Sequence, residues 1–276
     1  GSGAIGGSIH LNNSLDYNKG FEGTVFSEYG SFATINSLVR GKFSNENFSF
    51  NADINHSQSK NDFEITEKKF INRNGEYQNT SFNLGLGYKI NPNNELYWQS
   101  QYYDSDQHYP IFSENQTKTK YQVQTIRNLA GWKLRSGQFK NNLKLAYIED
   151  NFQYFSDIDK PKTSSGIGKQ YIVRNDLDFL VSKKSSFNLI TEYQYNEAEG
   201  FGSGIQNPKR NAANFSLLYR NVNLEKFYWE LGAKQDFVEG YKSPFLFSAS
   251  AKYLVNNWYQ SSINISRNFK APTFND

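Results

Sequence analysis

The chain has 276 residues, with 30 Lys and Arg against 27 Asp and Glu, and its small net charge of +3 is scattered, which excludes the basic stripe of a nucleic-acid binder. It has no Cys, hence no disulfide framework, thiolate metal site or Cys nucleophile, and no Met even at position 1, so we expect a chain that starts within a longer gene product or after processing. A mean hydropathy of −0.74, with no apolar run near ~18–20 residues, excludes a helical membrane span but not strands that show lipid on every second residue.

In chain order, the first element is Gly1-Ser-Gly-Ala-Ile-Gly-Gly-Ser-Ile-His-Leu11. Its glycines permit tight turns and close backbone approach. Strands are expected from near Phe21, with a tight connection at 29–33, a short turn at 45–47 and a longer loop at 58–79. Residues 81–90 alternate cleanly: Phe82, Leu84, Leu86, Tyr88 and Ile90 against Asn83, Gly85, Gly87 and Lys89. A short turn at 91–94, a longer loop at 104–118, a short turn at 136–141 and a longer loop at 156–169 follow. Residues 171–181 alternate again, with Arg174, Asp176 and Asp178 opposing Val173, Leu177 and Phe179. Beyond a short turn at 183–186, a longer loop at 196–210, a short turn at 222–226 and a tight one at 239–244, the segment 245–255 repeats the pattern. Its Phe245, Phe247, Ala249, Ala251, Tyr253 and Val255 oppose Ser248, Ser250 and Lys252. After a short turn at 255–257 the last strand is expected to end near Phe274.

Strands of about 10–14 residues exceed the ~5–6 usual in soluble sandwiches and match a tilted bilayer crossing. Arg40, Lys42, Lys89, Arg174, Glu192, Arg220, Glu230, Lys234 and Lys252 all fall on the polar phase, as expected where Lys or Arg facing lipid at the midplane costs ~2–4 kcal/mol. Glu149 and Arg267 fall on the apolar phase, toward the far ends of their strands. All four Trp (Trp98, Trp132, Trp229, Trp258) lie within a few residues of short turns, which predicts one interfacial girdle.

The opening segment, through Gly3, Ile5, Gly6 and Gly7, resembles the last plug strand of TonB-dependent outer-membrane receptors. The closing Phe269-Lys270-Ala271-Pro272-Thr273-Phe274-Asn275-Asp276, through Lys270, Ala271 and Pro272, resembles a strand ending of their cobalamin and catecholate-siderophore members. The resemblance covers the whole chain in architecture and only its ends in motif. It implies an all-β fold: an antiparallel transmembrane β-barrel, about thirteen strands of a ~22-stranded plugged barrel. Residues 1–16 would end the plug domain, and 17–276 would form the N-terminal part of a truncated barrel in the bacterial outer membrane. The implied function is active uptake of a scarce metal chelate, a ferric siderophore or cobalamin. The implied partners are TonB (through a region N-terminal to this chain), the chelate, outer-membrane lipid and a surface lipoprotein. A passive porin or sugar channel is the rival reading, which the plug-like segment opposes; a surface binding protein is another, for which loops of about 10–22 residues give little support.

Catalysis is not expected. The three His (His10, His56, His108) are spread along the chain with no metal-ligand spacing, and no nucleophile elbow occurs. Gly200-Phe-Gly-Ser-Gly204 reads as a flexible loop tip, without the strand-to-helix context of a phosphate cradle. The candidate ligand surface is the third loop, where Tyr103, Asp104, Asp106, His108 and Tyr109, with Tyr102 and Phe112, would form an aromatic and acidic cluster. No resident metal or cofactor is expected, with one alternative: loop calcium on Asp104 and Asp106, a spacing repeated by Asp157 and Asp159. Arg40, Arg174 and Arg220 are expected to pair with neighbouring carboxylates rather than to draw an anionic chelate.

Overall fold

The computed structural model describes residues 15–224, 226–256 and 258–272. Its strands are β1 (Gly20–Gly30), β2 (Thr34–Ser44), β3 (Phe48–Ser59), β4 (Glu64–Ile65), β5 (Phe70–Ile71), β6 (Tyr77–Asn91), β7 (Asn94–Tyr109) and β8 (Thr119–Ser136). They continue as β9 (Phe139–Phe155), β10 (Ser164–Ser182), β11 (Ser185–Phe201), β12 (Lys209–Leu224), β13 (Phe227–Val238), β14 (Leu246–Leu254) and β15 (Gln260–Ser266). Thirteen of these form one antiparallel sheet in which each strand pairs with the next along the chain, and β4 and β5 form a separate small hairpin. The expected strand count and all-β architecture therefore hold among the described residues.

The register shows how the sequence makes this sheet amphipathic. One line of cross-strand partners reads Phe21, Phe43, Phe50, Leu86, Trp98, Ala130, Leu145, Val173, Tyr193, Ala213, Phe237 across β1 to β13. Its neighbour on the opposite face reads Ser44, Ser49, Gly87, Tyr97, Gly131, Lys144, Arg174, Glu192, Asn214, Asp236. The apolar face is widely exposed: Val39, Ile54, Leu145, Leu217, Leu231, Ile263 and Ile265 all show about half or more of their surface. A soluble protein buries such a face; here, among the described residues, the buried hydrophobic ones are only Ile111, Ala198 and Leu246.

Aromatic residues edge the apolar band on both sides. At the short-turn end, Trp229 lies 5.1 Å from Tyr219, Tyr219 lies 4.7 Å from Phe187, and Phe139 and Phe179 stack at 4.8 Å. Trp98 and Trp132 share this face and end, and Trp258 stands 86% exposed in the β14–β15 turn. At the opposite margin Tyr147, Tyr171 and Tyr195 run as a row with centroids 5.1 and 6.0 Å apart. The girdle expected from the Trp positions is present, and a tyrosine row balances it.

The short turns rest on side-chain-to-backbone hydrogen bonds. Asn45 Oδ1 accepts from the amides of Asn47 and Phe48, Asn91 Oδ1 from that of Asn93, and Asn256 Oδ1 from those of Trp258 and Tyr259.

The strands are longer than expected. β6 to β12 run 15 to 19 residues, so the loops expected at 104–118, 156–169 and 196–210 shrink to 110–118, 156–163 and 202–208. About ten residues at ~3.4 Å each, tilted, cross an apolar band ~25 Å tall. Beyond the tyrosine row both faces become polar, so the period-two signal fades although the hydrogen-bond ladder continues. Glu149, expected as a charge on the apolar phase, lies on this margin, where it accepts a hydrogen bond from the Tyr147 hydroxyl and faces Lys169 in register. Arg267, the other exception, follows the last residue of β15.

One glycine on the polar face is there for room. A Cβ at Gly131 would strike the Tyr97 ring, which donates its hydroxyl to Asn142 Oδ1 (3.0 Å) and lies under Lys133 Nζ (4.8 Å). Gly131→Val is expected to displace Tyr97, costing ~1–3 kcal/mol, read as a lower melting temperature by circular dichroism in detergent.

Candidate functional site

The five residues expected to form a ligand surface all lie on β7 rather than in a loop, and strand alternation divides them. Tyr103 belongs to the polar face: its hydroxyl and that of Ser105 both donate to Asn79 Oδ1, at 3.4 and 2.6 Å. Asp104, Asp106 and His108 belong to the other face, above the apolar band. There Gln124 Nε2 donates to Asp104 (2.9 Å), while Lys120 Nζ (2.9 Å) and Gln122 Nε2 (2.6 Å) donate to Asp106. Tyr109 ends the strand with its ring half exposed and its carbonyl accepting from Asn74 Nδ2 at 2.8 Å. The structure thus brings Asp104, Asp106 and His108 together and sets Tyr103 and Tyr109 apart from them.

For loop calcium, the same bonds commit Asp104 and Asp106 to protein partners. Asp157 accepts from Lys160 Nζ (2.9 Å) and from the Asp159 amide (3.1 Å), and the Lys160 hydrogen bond holds its carboxyl below the usual carboxylate range. Among the described residues no group of three or more His, Cys, Asp or Glu is placed to hold a metal ion.

The most buried side chains among the described residues were not singled out by the sequence reading. Asn72 is 0% and Asn74 1% exposed, in the long β3–β6 connection. Asn72 Oδ1 accepts from the amides of Asn74 and Ile111, both at 3.1 Å, and its Nδ2 donates to the Asn61 carbonyl at 3.2 Å. Asn74 Nδ2 donates to the carbonyls of Tyr109 and Thr119, and its Oδ1 faces His108 Nδ1 at 2.9 Å. Two carboxamides therefore pin this loop to the ends of β7 and β8. Gly75 permits the close approach, since a Cβ there would meet Asn72 and the Asn61 carbonyl. The only sequence signal was the Asn-x-Asn-Gly run at 72–75, which reads as an ordinary turn.

The polar face carries a lattice of charges across β9 to β13. Lys144 Nζ reaches Asp176 at 2.9 Å; Arg174 grips Asp176 through Nε and Nη2 and reaches Glu192 at 3.1 Å; Gln194 and Asn214 also donate to Glu192. Lys234 pairs with the buried Asp236 at 2.8 Å. A depression of about 510 Å³ lies over this lattice, between Arg174 and Glu192 on one side and Lys234 and Phe269 on the other. The expectation that the arginines pair holds: Arg40 lies 3.8 Å from Asp53, and Arg220 lies 2.8 Å from Glu230.

The family-motif positions divide in two. Gly3, Ile5, Gly6 and Gly7 lie outside the described residues. Lys270, Ala271 and Pro272 follow β15 outside any strand, and the Pro272 carbonyl accepts from Arg210 Nη1 at 2.6 Å. Near the chain's start, Lys89 Nζ sits 3.7 Å over the Tyr17 ring, and a Cβ at Gly87 would touch Leu15 and Tyr17. Residues 15 and 17 thus rest on the polar face.

No family model and no curated protein matches this chain. Solved structures do. The FrpB iron transporter from Neisseria meningitidis matches with a TM-score of 0.78 and 9% identity over 92% of this chain and 47% of that one. The siderophore receptor PirA from Pseudomonas aeruginosa matches with a TM-score of 0.70 and 12% identity over 94% and 45%, respectively. The alcaligin outer-membrane receptor FauA from Bordetella pertussis matches with a TM-score of 0.69 and 10% identity over 93% and 45%. The fold is that of part of the antiparallel β-barrel these three proteins share. The chain spans less than half the length of each of these three proteins. Its thirteen-stranded sheet corresponds to a run of wall strands, which explains an apolar face turned out and a charged face turned in.

Proposed function

We propose that this chain is part of the wall of a TonB-dependent outer-membrane transporter that takes up a ferric siderophore, the polar face lining the interior and the apolar band meeting lipid. The observation that carries this reading is the inverted amphipathicity: an apolar row running unbroken from β1 to β13 on one exposed face, and paired charges with small residues on the other. A barrel interior tolerates such a lattice, and lipid demands such a band. The likeness of the sheet to iron and siderophore receptors favours an iron chelate over cobalamin. Every named carboxylate of the interior lattice has a cationic or amide partner, which suits a passage wall better than catalysis. TonB would act through another part of the protein, and the wall would supply one flank of the path.

The test is tryptophan quenching by ferric siderophores, haem and cobalamin, with the full-length gene product in detergent. Sub-micromolar quenching by a ferric siderophore is the expected result. Steady ion conductance in a planar bilayer without TonB, and no quenching by any chelate, would replace the transporter with a passive channel.

A further inference from the structure

Above the tyrosine row, the outward face of the sheet carries an amide-rich hollow that the transport reading leaves unused. Two adjoining clefts, of about 550 and 260 Å³, share Gln78 and Asp106. Their floor comes from cross-strand partners on β6 to β9: Gln78 beside Asp106, Asp106 beside Gln122, Gln122 beside Gln153, and Gln124 between Asp104 and Asn151. Lys60, Ile158 and Asp159 from two loops overhang the larger cleft. One carboxylate oxygen, Asp106 Oδ1, is buried there with no hydrogen-bond donor, 3.6 Å from His108 Nε2, while Oδ2 is held by Lys120 and Gln122.

We propose that this hollow binds the sugar headgroup of a glycolipid in the outer leaflet of the membrane. The proposal rests on the membrane-spanning reading of the sheet. Three observations favour a sugar. The amides and carboxylates are planar groups with paired donors and acceptors, the chemistry that matches vicinal hydroxyls. Charges are mixed in sign, with Lys60 and Lys120 against Glu76, Asp104, Asp106 and Asp159 and with His108 among them, so a simple polyanion is poorly served. The position selects a membrane-tethered sugar over a free one. Tyr147, on β9, sits on the apolar margin, and Asn151 and Gln153 follow on the same face and strand. A lipid whose chains lie against the apolar band therefore presents its headgroup at the level of the hollow.

The test places the full-length protein in nanodiscs of phosphatidylethanolamine and titrates in lipopolysaccharide with a truncated core, counting bound glycolipid by native mass spectrometry. The comparison protein is the double variant Gln122→Leu, Gln124→Leu, and phosphatidylglycerol is the sugar-free control. Insertion is checked first, by the heat-dependent gel mobility of a folded barrel. The expected result is saturable retention of lipopolysaccharide, about tenfold weaker in the double variant, for the loss of two amide contacts, and no retention of phosphatidylglycerol. Equal retention by both proteins, or equal retention of the two lipids, overturns the glycolipid site while leaving the transporter intact. A wild-type protein that never inserts overturns both.

Discussion

Leu145→Arg is expected to destabilise the lipid-inserted protein by ~2–4 kcal/mol, the cost of a guanidinium near the bilayer midplane. Leu145 stands 51% exposed in the middle of the longest apolar row, with Ala130 and Val173 beside it. In water the same change would free an apolar surface and cost almost nothing, so the substitution reports what covers this face. The matched control is Gln153→Arg, on the same strand and face but beyond the tyrosine row, where the expected cost is ~0–1 kcal/mol. Both are read as shifts in reversible urea unfolding from lipid vesicles. Equal costs at the two sites would mean that no lipid covers the band.

Asn72→Ala is expected to open the loop at 60–76 without melting the barrel. The change strands two buried amides, those of Asn74 and Ile111, each at ~1–3 kcal/mol, and releases the Asn61 carbonyl. Because Asn74 continues the latch to Tyr109 and Thr119, the cost falls on the junction between this loop and the β7–β8 ends. Trypsin cleavage at Lys69 and Arg73 should accelerate by more than about tenfold, while the thermal midpoint of the sheet moves little. Unchanged cleavage in Asn72→Ala would show that the carboxamide does not hold the loop.

Much of the wall could be read from the residues. The segments 81–90, 171–181 and 245–255 alternate because one face must be apolar and the other cannot be, and β6, β10 and β14 lie there. The short turns were legible because Asn45, Asn91 and Asn256 mark them chemically. The strand ends beyond the apolar band were not, because a ladder between two polar surfaces leaves no hydrophobic period. That same loss misplaced Tyr103, Asp104, Asp106, His108 and Tyr109 in a loop, and a strand then parted the tyrosines from the acids. Asn72 and Asn74 escaped notice because burial of a carboxamide depends on which distant carbonyls and amides meet it, here from residues more than thirty positions away.

The longest apolar row begins at Phe21, one residue from the start of β1, and finishes at Phe237, one residue from the end of β13. Partners in hydrogen bonding are therefore not level with one another. A horizontal plane cuts the wall along a diagonal, as a floor cuts a spiral ramp. Because β8 to β11 are also the tallest strands, the rim has a high side and a low side. Whatever approaches from above meets a parapet on one flank and an open step on the other.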